Sequence, residues 1–485
     1  QLYDPDRSQS VRHLGILTTW DTFLGSLGDA LNRLRGNGGA GLRLLVGTVT
    51  SPTLASQLQK LQTTYPNARI HQHEPVGREN VHAGARMAFG DDANPVYNFA
   101  AARTIFSLDC NFLHEEPGSV RYARDFIKGR LVRDGRYDMN RLYVAESTPT
   151  ITGAKADHRA VVKPSAVENL ARALAAGVGA NTGGTPAGQV EGVPQEWLNA
   201  AIADLKAAGP AALVLAGAHQ PPIVHALAFA INGALGSIGK TVTFTEPVEV
   251  RFGDPATSLR QLVDDLNAGR VDTLIFLDTN PVYTAPPELN FAEAMKRAKL
   301  RVHMGLYDDE TGILCEWHVP QSHYLEAWSD ARAYDGTTSI VQPLVRPLYQ
   351  TRSQHEFLNS LLGKEERPGY DLVREYWRGK LGAGTAAAFD QAWHQILLTG
   401  VVPNSRAAAR SVTPRPTLAA APAAPAPAGG LEISFRPDPT IWDGRYSNNG
   451  WLQELPKHLS VLTWDNAVLI SPAMAQREDL RNGDF

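Results

Sequence analysis

Two sets of histidines and one of carboxylates are the residues in this 485-residue chain most suited to chemistry. His71 and His73 lie two apart, which on a strand turns both rings to one side, a geometry that zinc sites use. His82, Glu74 or Glu79 would complete such a set. Pro75 and Gly77 mark the stretch as an exposed loop, which favours solvated histidines over a metal site. His303, His318 and His323 flank Cys315, but their spacings match no zinc signature, and packing or local hydrogen bonds are the expected roles. Glu326, Asp330 and Asp335, around Trp328, and Asp109 and Asp278 at strand ends are carboxylates for acid–base work, provided that geometry shifts their pKa values. Gly47–Pro52 joins a strand to a helix N-terminus, where N–H groups favour an anion. It lacks G-x-G-x-x-G and a P-loop lysine, so a turn that binds nothing is expected. G-x-S-x-G is absent, and Ser471-Pro472 is no nucleophile elbow.

Composition closes other routes. The net charge of -4 is no signature of polyanion binding, so nucleic acid is not an expected partner. No run approaches ~18 consecutive apolar residues, so no spanning segment is expected. Cys110 and Cys315 are the only cysteines. A cubane cluster needs four thiolates, usually in close Cys-x-x-Cys runs, so these residues cannot hold one alone. The chain opens at Gln1 without an export-signal pattern and stops at Phe485 where a strand should begin. Both ends are expected to be interior positions of a longer polypeptide.

The elements that must position these residues alternate. Leucines from Leu24 to Leu34 recur at helical spacing up to Gly36, with Asp21 or Thr22 as the cap. Leu42–Gly47 reads as a strand, followed by a helix opening at Pro52. Strands are expected at Ile105–Leu108, Leu142–Ala145, Ala212–Ala216, Val271–Leu277 and Leu300–Leu306. Helices are expected at Ser119–Leu131, Pro221–Leu235, Thr257–Ala268 and Phe291–Ala298. Ser165-x-x-Glu168 reads as a capping box opening a helix through Ala176. Such alternation predicts α/β architecture with two doubly wound, mostly parallel sheets, split near the glycine-rich Gly177–Gly188. The expected division is therefore 1–176 and 177–403 as two α/β domains, then 404–430 as a Pro/Ala linker or surface wrap. Residues 431–485, with strands at Leu431–Phe435 and Val468–Ile470, would begin a small β-rich domain.

The stretch from Val271 to Pro343 resembles the frame of a molybdopterin oxidoreductase. Its strand runs into Asp278-Thr279-Asn280-Pro281, where that family has a Gly-x-Asn-Pro turn. Glu310-Thr311 through Val319-Pro320, then Glu326, Gly336-Thr337 and Gln342-Pro343, follow the same order. More specifically, the chain resembles the molybdopterin-oxidoreductase-like region of the large iron–sulfur subunit of bacterial alternative complex III. Phrases similar to that subunit are 3–8 (YDPDRS), 118–124 (GSVRYAR), 140–149 (NRLYVAESTP), 156–159 (ADHR), 280–283 (NPVY), 331–337 (ARAYDGT) and 463–467 (TWDNA).

That resemblance implies a non-catalytic scaffold within a membrane-bound quinol-oxidising complex of a respiratory or photosynthetic chain. Electrons would pass from quinol through clusters and c-type haems. The full-length subunit would carry three 4Fe–4S clusters and one 3Fe–4S cluster beyond Phe485, and no molybdopterin. No residue of 1–485 is then expected to be catalytic, cofactor-binding or metal-ligating. Expected partners are a multihaem cytochrome c, quinol-binding membrane subunits and the cluster-bearing part of the same polypeptide. Tat-type export and a peripheral position on the periplasmic face of the cytoplasmic membrane are also implied. Catalytic molybdopterin enzymes place a metal-ligating Cys, Ser or Asp in the stretch corresponding to His71–Gly90, which here contains none. The alternatives are a catalytic large subunit of polysulfide- or thiosulfate-reductase type, and a pure assembly module.

Overall fold

Apolar runs without alternation signal strands covered on both faces, and each such run here lies inside a parallel sheet. The computed structural model describes residues 1–133, 135, 138–182, 189–382, 384–416, 418 and 430–483, with the backbone alone at residue 256. The chain forms two units, each discontinuous in sequence: Gln1–Glu79 with Thr245–Ala408, and Asn80–Phe244 with Ala409–Phe485.

The first unit is built on a seven-stranded sheet. Its order is Ile16–Leu17, Arg12–His13, Trp317–Pro320, Leu300–Gly305, Thr273–Leu277, Leu42–Val46, Arg69–Gln72. The last five are mutually parallel, and Arg12–His13 pairs antiparallel with Trp317–Pro320. Helix Trp20–Arg35 packs Phe23 against Trp317 and Phe357, at centroid distances of 5.3 and 6.2 Å. Its cap is Thr19, whose hydroxyl accepts from Thr22 N, a little earlier than expected. Asp265, nearly sealed from water, anchors this unit by ion pairs to Arg43, Arg69 and Arg270.

In the second unit four parallel strands lie in the order His158–Val161, Arg141–Glu146, Thr104–Leu108, Ala212–Ala216. Helices Ala166–Val178, Gln195–Ala208 and Pro222–Ala234 belong to its core. The expected split at residue 176 therefore runs through one core, because the helices on both sides of it pack on this sheet. Strands 42–72 and 273–320 share one sheet instead, which makes the first unit discontinuous.

Ser165 caps nothing with its side chain, and Glu168 pairs with Arg172, so the expected capping box is absent. The expected strands Leu431–Phe435 and Val468–Ile470 find no partner strand among the described residues, and Ile433, Phe435 and Val468 are largely exposed. Among the described residues, 431–483 hold only the short helices Gly450–Glu454 and Pro472–Arg477. Of the Pro/Ala stretch, residues 417 and 419–429 lie outside the described residues, as do 183–188 of the glycine-rich stretch. Arg410 and Arg415 bond through their backbone N–H to Phe244 and Ala88, so 409–416 lies along the second unit, and the boundary between the units at 408/409 falls inside the expected linker. Among the described residues, no helix is long and apolar enough to cross a membrane.

The Phe23–Trp317–Phe357 cluster joins helix, sheet and the helix Gln354–Leu361. Phe357→Ala should lower unfolding free energy by roughly 3–5 kcal/mol. A loss below about 1 kcal/mol by urea denaturation would show that these rings do not hold the unit together.

Candidate functional site

Ligand crevices of open α/β sheets form beyond the carboxyl ends of the strands, where strand order reverses. In the second unit the reversal lies between Thr104–Leu108 and Ala212–Ala216; in the first it lies between Leu42–Val46 and Thr273–Leu277. Both points carry a Leu-Asp-x-Asn tetrad, Leu108-Asp109-Cys110-Asn111 and Leu277-Asp278-Thr279-Asn280. Each Asp adopts a left-handed backbone, φ 52° and 56°. Each also extends the ladder, donating its N–H to Ala145 O at 2.7 Å and to Met304 O at 2.8 Å.

The repeat extends into the hydrogen bonds. Asn111 Oδ1 accepts from the Thr152 hydroxyl at 2.9 Å, and its amide donates to Glu115 at 3.0 Å. Asn280 accepts from the Thr311 hydroxyl and donates to Glu310, both at 2.7 Å. The same two threonine oxygens accept from Leu113 N and Val282 N, two residues beyond each Asn. Thr152-Gly153 and Thr311-Gly312 each open a 3-10 turn before a further strand. The two tetrads and their Thr-Gly partners are present in the sequence, but only as a pair of dispersed short matches.

The occupants differ. The Asp109 side chain is fully buried and meets Arg436 Nη2 at 2.6 Å, which also donates to Ser147 Oγ at 2.9 Å. Arg436 Nη1 lies 3.3 Å from His219 Nδ1. His219 Nε2 lies 3.3 Å from Asp109 Oδ2 and 2.8 Å from Gln220 Nε2. Gln220 donates to the same carboxylate at 3.1 Å. Burial pushes the Asp109 pKa up, but the His219 hydrogen bond and the Arg436 charge outweigh it, and the net shift is downward. Asp278, by contrast, is exposed and accepts from Gln354 at 3.2 Å. Arg436 could not be foreseen, because 327 residues separate it from its partner.

The residues singled out by type are mostly committed to the fold. Glu326 is buried against Arg7 and accepts from His323 N at 2.9 Å and Leu348 N at 2.8 Å. Burial raises its pKa and the Arg7 bond reverses this, leaving a lowered value. Asp330 accepts from Ser51 Oγ, Thr53 N and Trp377 Nε1. It is therefore the anion at the N-terminus of helix Pro52–Thr64, and Gly47–Pro52 leads into a site the chain itself fills. Asp335 orders a turn through Thr337 N at 3.1 Å, and Trp328 packs on Tyr370.

His71 bonds to Ser258 O and His73 to Thr284 Oγ1, each at 3.0 Å, so the two rings take separate partners. Burial brings His71 down to about 4. His82 is buried on helix Glu79–Phe89. His303 and His318 do meet, Nδ1 to Nδ1 at 3.0 Å, and His318 Nε2 reaches Ser8 Oγ at 2.6 Å. Burial lowers them to about 4 and about 2, so both are neutral and share one Nδ1 proton. Asp309, 3.5 Å from His303 Nε2, is raised to about 7 by burial. His323 stands apart and accepts from Leu325 N. Cys110 and Cys315 are free and buried, with thiols pushed up by desolvation. Among the described residues, no group of three or more His, Cys, Asp and Glu is arranged to hold a metal ion.

No family model and no curated protein matches the chain. Among solved structures it is similar to acetylene hydratase from Pelobacter acetylenicus, at 13% identity and a TM-score of 0.57, over 74% of this chain. The match spans 61% of that enzyme's length. This is a molybdopterin-oxidoreductase-type fold. At that identity the likeness fixes architecture and nothing finer. The cofactor of such folds can be tested against the donors present. Strand Arg69–Gln72 leads through 73–78 into helix Glu79–Phe89, and 71–90 offers imidazoles and glutamates but no Cys, Ser or Asp. Just beyond, Asp91 is tied to Arg410 at 2.7 Å and Asp92 to Arg86 at 2.6 Å. The thiolate, hydroxyl or aspartate donor that the resemblance leads one to expect there is absent from residues 71–90.

Two outcomes follow from these contacts. Glu326→Ala should cost roughly 3–5 kcal/mol by leaving Arg7 buried and unpaired; a chemical melt within about 1 kcal/mol of the parent would refute that role. Because the folded pKa of Asp109 is lowered, its contribution to stability is present above the unfolded value of about 3.9 and is lost as pH falls through the folded value. The stability gap between the parent and Asp109→Asn should thus narrow in melts below about pH 4. A constant gap would contradict the assignment.

Proposed function

We propose that this chain is a non-catalytic scaffold region of an electron-transfer iron–sulfur subunit, in a quinol-oxidising complex of the alternative complex III type. The observation that carries the reading is the donor set at 71–90. A molybdopterin-type fold without a metal donor in the ligand-bearing stretch keeps the frame and not the reaction centre. The Arg436-filled crevice of the second unit supports it, since that switch point is closed by the chain itself. The residues also lack the thiolates for a cluster, so clusters in the full subunit would sit in other residues. The scaffold would limit solvent access to neighbouring clusters, which helps set their potentials.

On this reading the partners are a multihaem cytochrome c, quinol-binding membrane subunits and the cluster-bearing part of the same polypeptide, on the periplasmic face. Exposed Trp451, Trp464, Val468 and Leu469 are side chains of the kind that interfaces cover. The competing reading, a catalytic large subunit, draws on the fold alone and would use the exposed switch point at Asp278.

Asp278→Asn and Asn280→Ala in the native complex separate the two. The scaffold reading expects quinol:acceptor turnover within about twofold of the parent, with the complex intact. A loss of roughly 10²-fold or more in kcat, with assembly unchanged, would favour a working active site instead.

A further inference from the structure

The nook around Asp109 is more than an ion pair at the surface. Its carboxylate is fully buried at a strand end, on a left-handed backbone, with Ser147, His219 and Gln220 all turned toward it. Three N–H donors of Arg436 are engaged by the nook, on Asp109, Ser147 and His219, and a fourth, Nε–H, turns back to Ser434 of its own segment. That is a shaped receptor for a planar, fork-like cation rather than for a point charge.

The segment that delivers the guanidinium is held lightly elsewhere. Glu432 takes the Ser165 N–H and hydroxyl at 2.9 and 2.6 Å. Leu431, Ile433 and Phe435 are 66%, 78% and 86% exposed, so little apolar burial pins the segment down. Residues 431–436 make no backbone–backbone hydrogen bond among the described residues. Ordering such a strap costs on the order of 1–2 kcal/mol per residue, which two polar anchors must offset.

We propose that the Asp109 nook is a guanidinium-binding site, occupied in cis by Arg436, and that residues 431–436 form a strap an external guanidinium can displace. The natural competitor is an arginine side chain presented by another polypeptide. This goes beyond the scaffold reading and does not rest on it, since it concerns the nook's chemistry alone.

The test uses the whole 485-residue chain, with methylguanidinium as the probe and methylammonium as the control. Arg436→Ala should bind methylguanidinium in calorimetric titration and gain thermal stability from it. Methylammonium should bind roughly tenfold more weakly or worse. Arg436→Ala with Asp109→Asn should bind neither. Equal responses to the two cations, or no response in Arg436→Ala, would overturn the proposal. Should Arg436→Ala fail to fold, hydrogen exchange on the parent decides. Methylguanidinium should speed exchange of the Ser165 amide, which Glu432 of the strap holds, and leave the Asp278 amide unchanged, whereas a Ser165 amide indifferent to the probe would sink the idea.

Discussion

A carboxylate taken out of water must be met by cations or N–H donors, or it will not stay charged. That constraint organises both units of this chain. Asp265 gathers Arg43, Arg69 and Arg270; Glu326 takes Arg7; Asp330 gathers Ser51, Thr53 and Trp377; Asp109 takes Arg436. In each case the partners come largely from distant sequence, so neutralising the charge closes the chain on itself. The same bonds consume the groups that would otherwise serve as acids, bases or anion receptors. Buried charge of this kind is more damaging to break than it is profitable to make. It therefore specifies which segments meet more than it adds net stability.

The α/β rhythm is legible because parallel strands buried on both faces must be apolar without alternation. Thr273–Leu277 and Ala212–Ala216 are of that kind, and Pro52 and Gly36 mark helix ends by backbone chemistry alone. Arg69–Gln72 does not read as an apolar strand, since an arginine, a histidine and a glutamine break its run. Leu431–Phe435 fails in the opposite sense. Its residues suit a strand, but no neighbouring edge among the described residues pairs with it. Ser165 has the sequence of a capping box, yet its hydroxyl bonds Glu432, 267 residues away. The split at 176 fails because the pattern of one strand–helix unit cannot say which sheet it joins.

At the candidate site the sequence shows which residues are able to act and not which are free to. Glu326, Asp330 and His318 look reactive by type and are occupied by Arg7, Trp377 and Ser8. The duplicated Leu-Asp-x-Asn turns are hard to see in the sequence, because three letters in four are weak evidence until their hydrogen bonds coincide. Together they give two switch points of one design with different fates. One is closed by a guanidinium from the chain and the other faces solvent. On the scaffold reading, a frame built around crevices is here spent on holding itself together.

If redox metal chemistry lies outside these residues, an elemental count on the native assembly will show it. Mass spectrometry on the purified native complex containing this chain would quantify molybdenum, tungsten and iron per copy. The predicted result is iron with neither molybdenum nor tungsten. Near-stoichiometric molybdenum or tungsten would contradict the scaffold reading and make the Asp278–Asn280 crevice an active site.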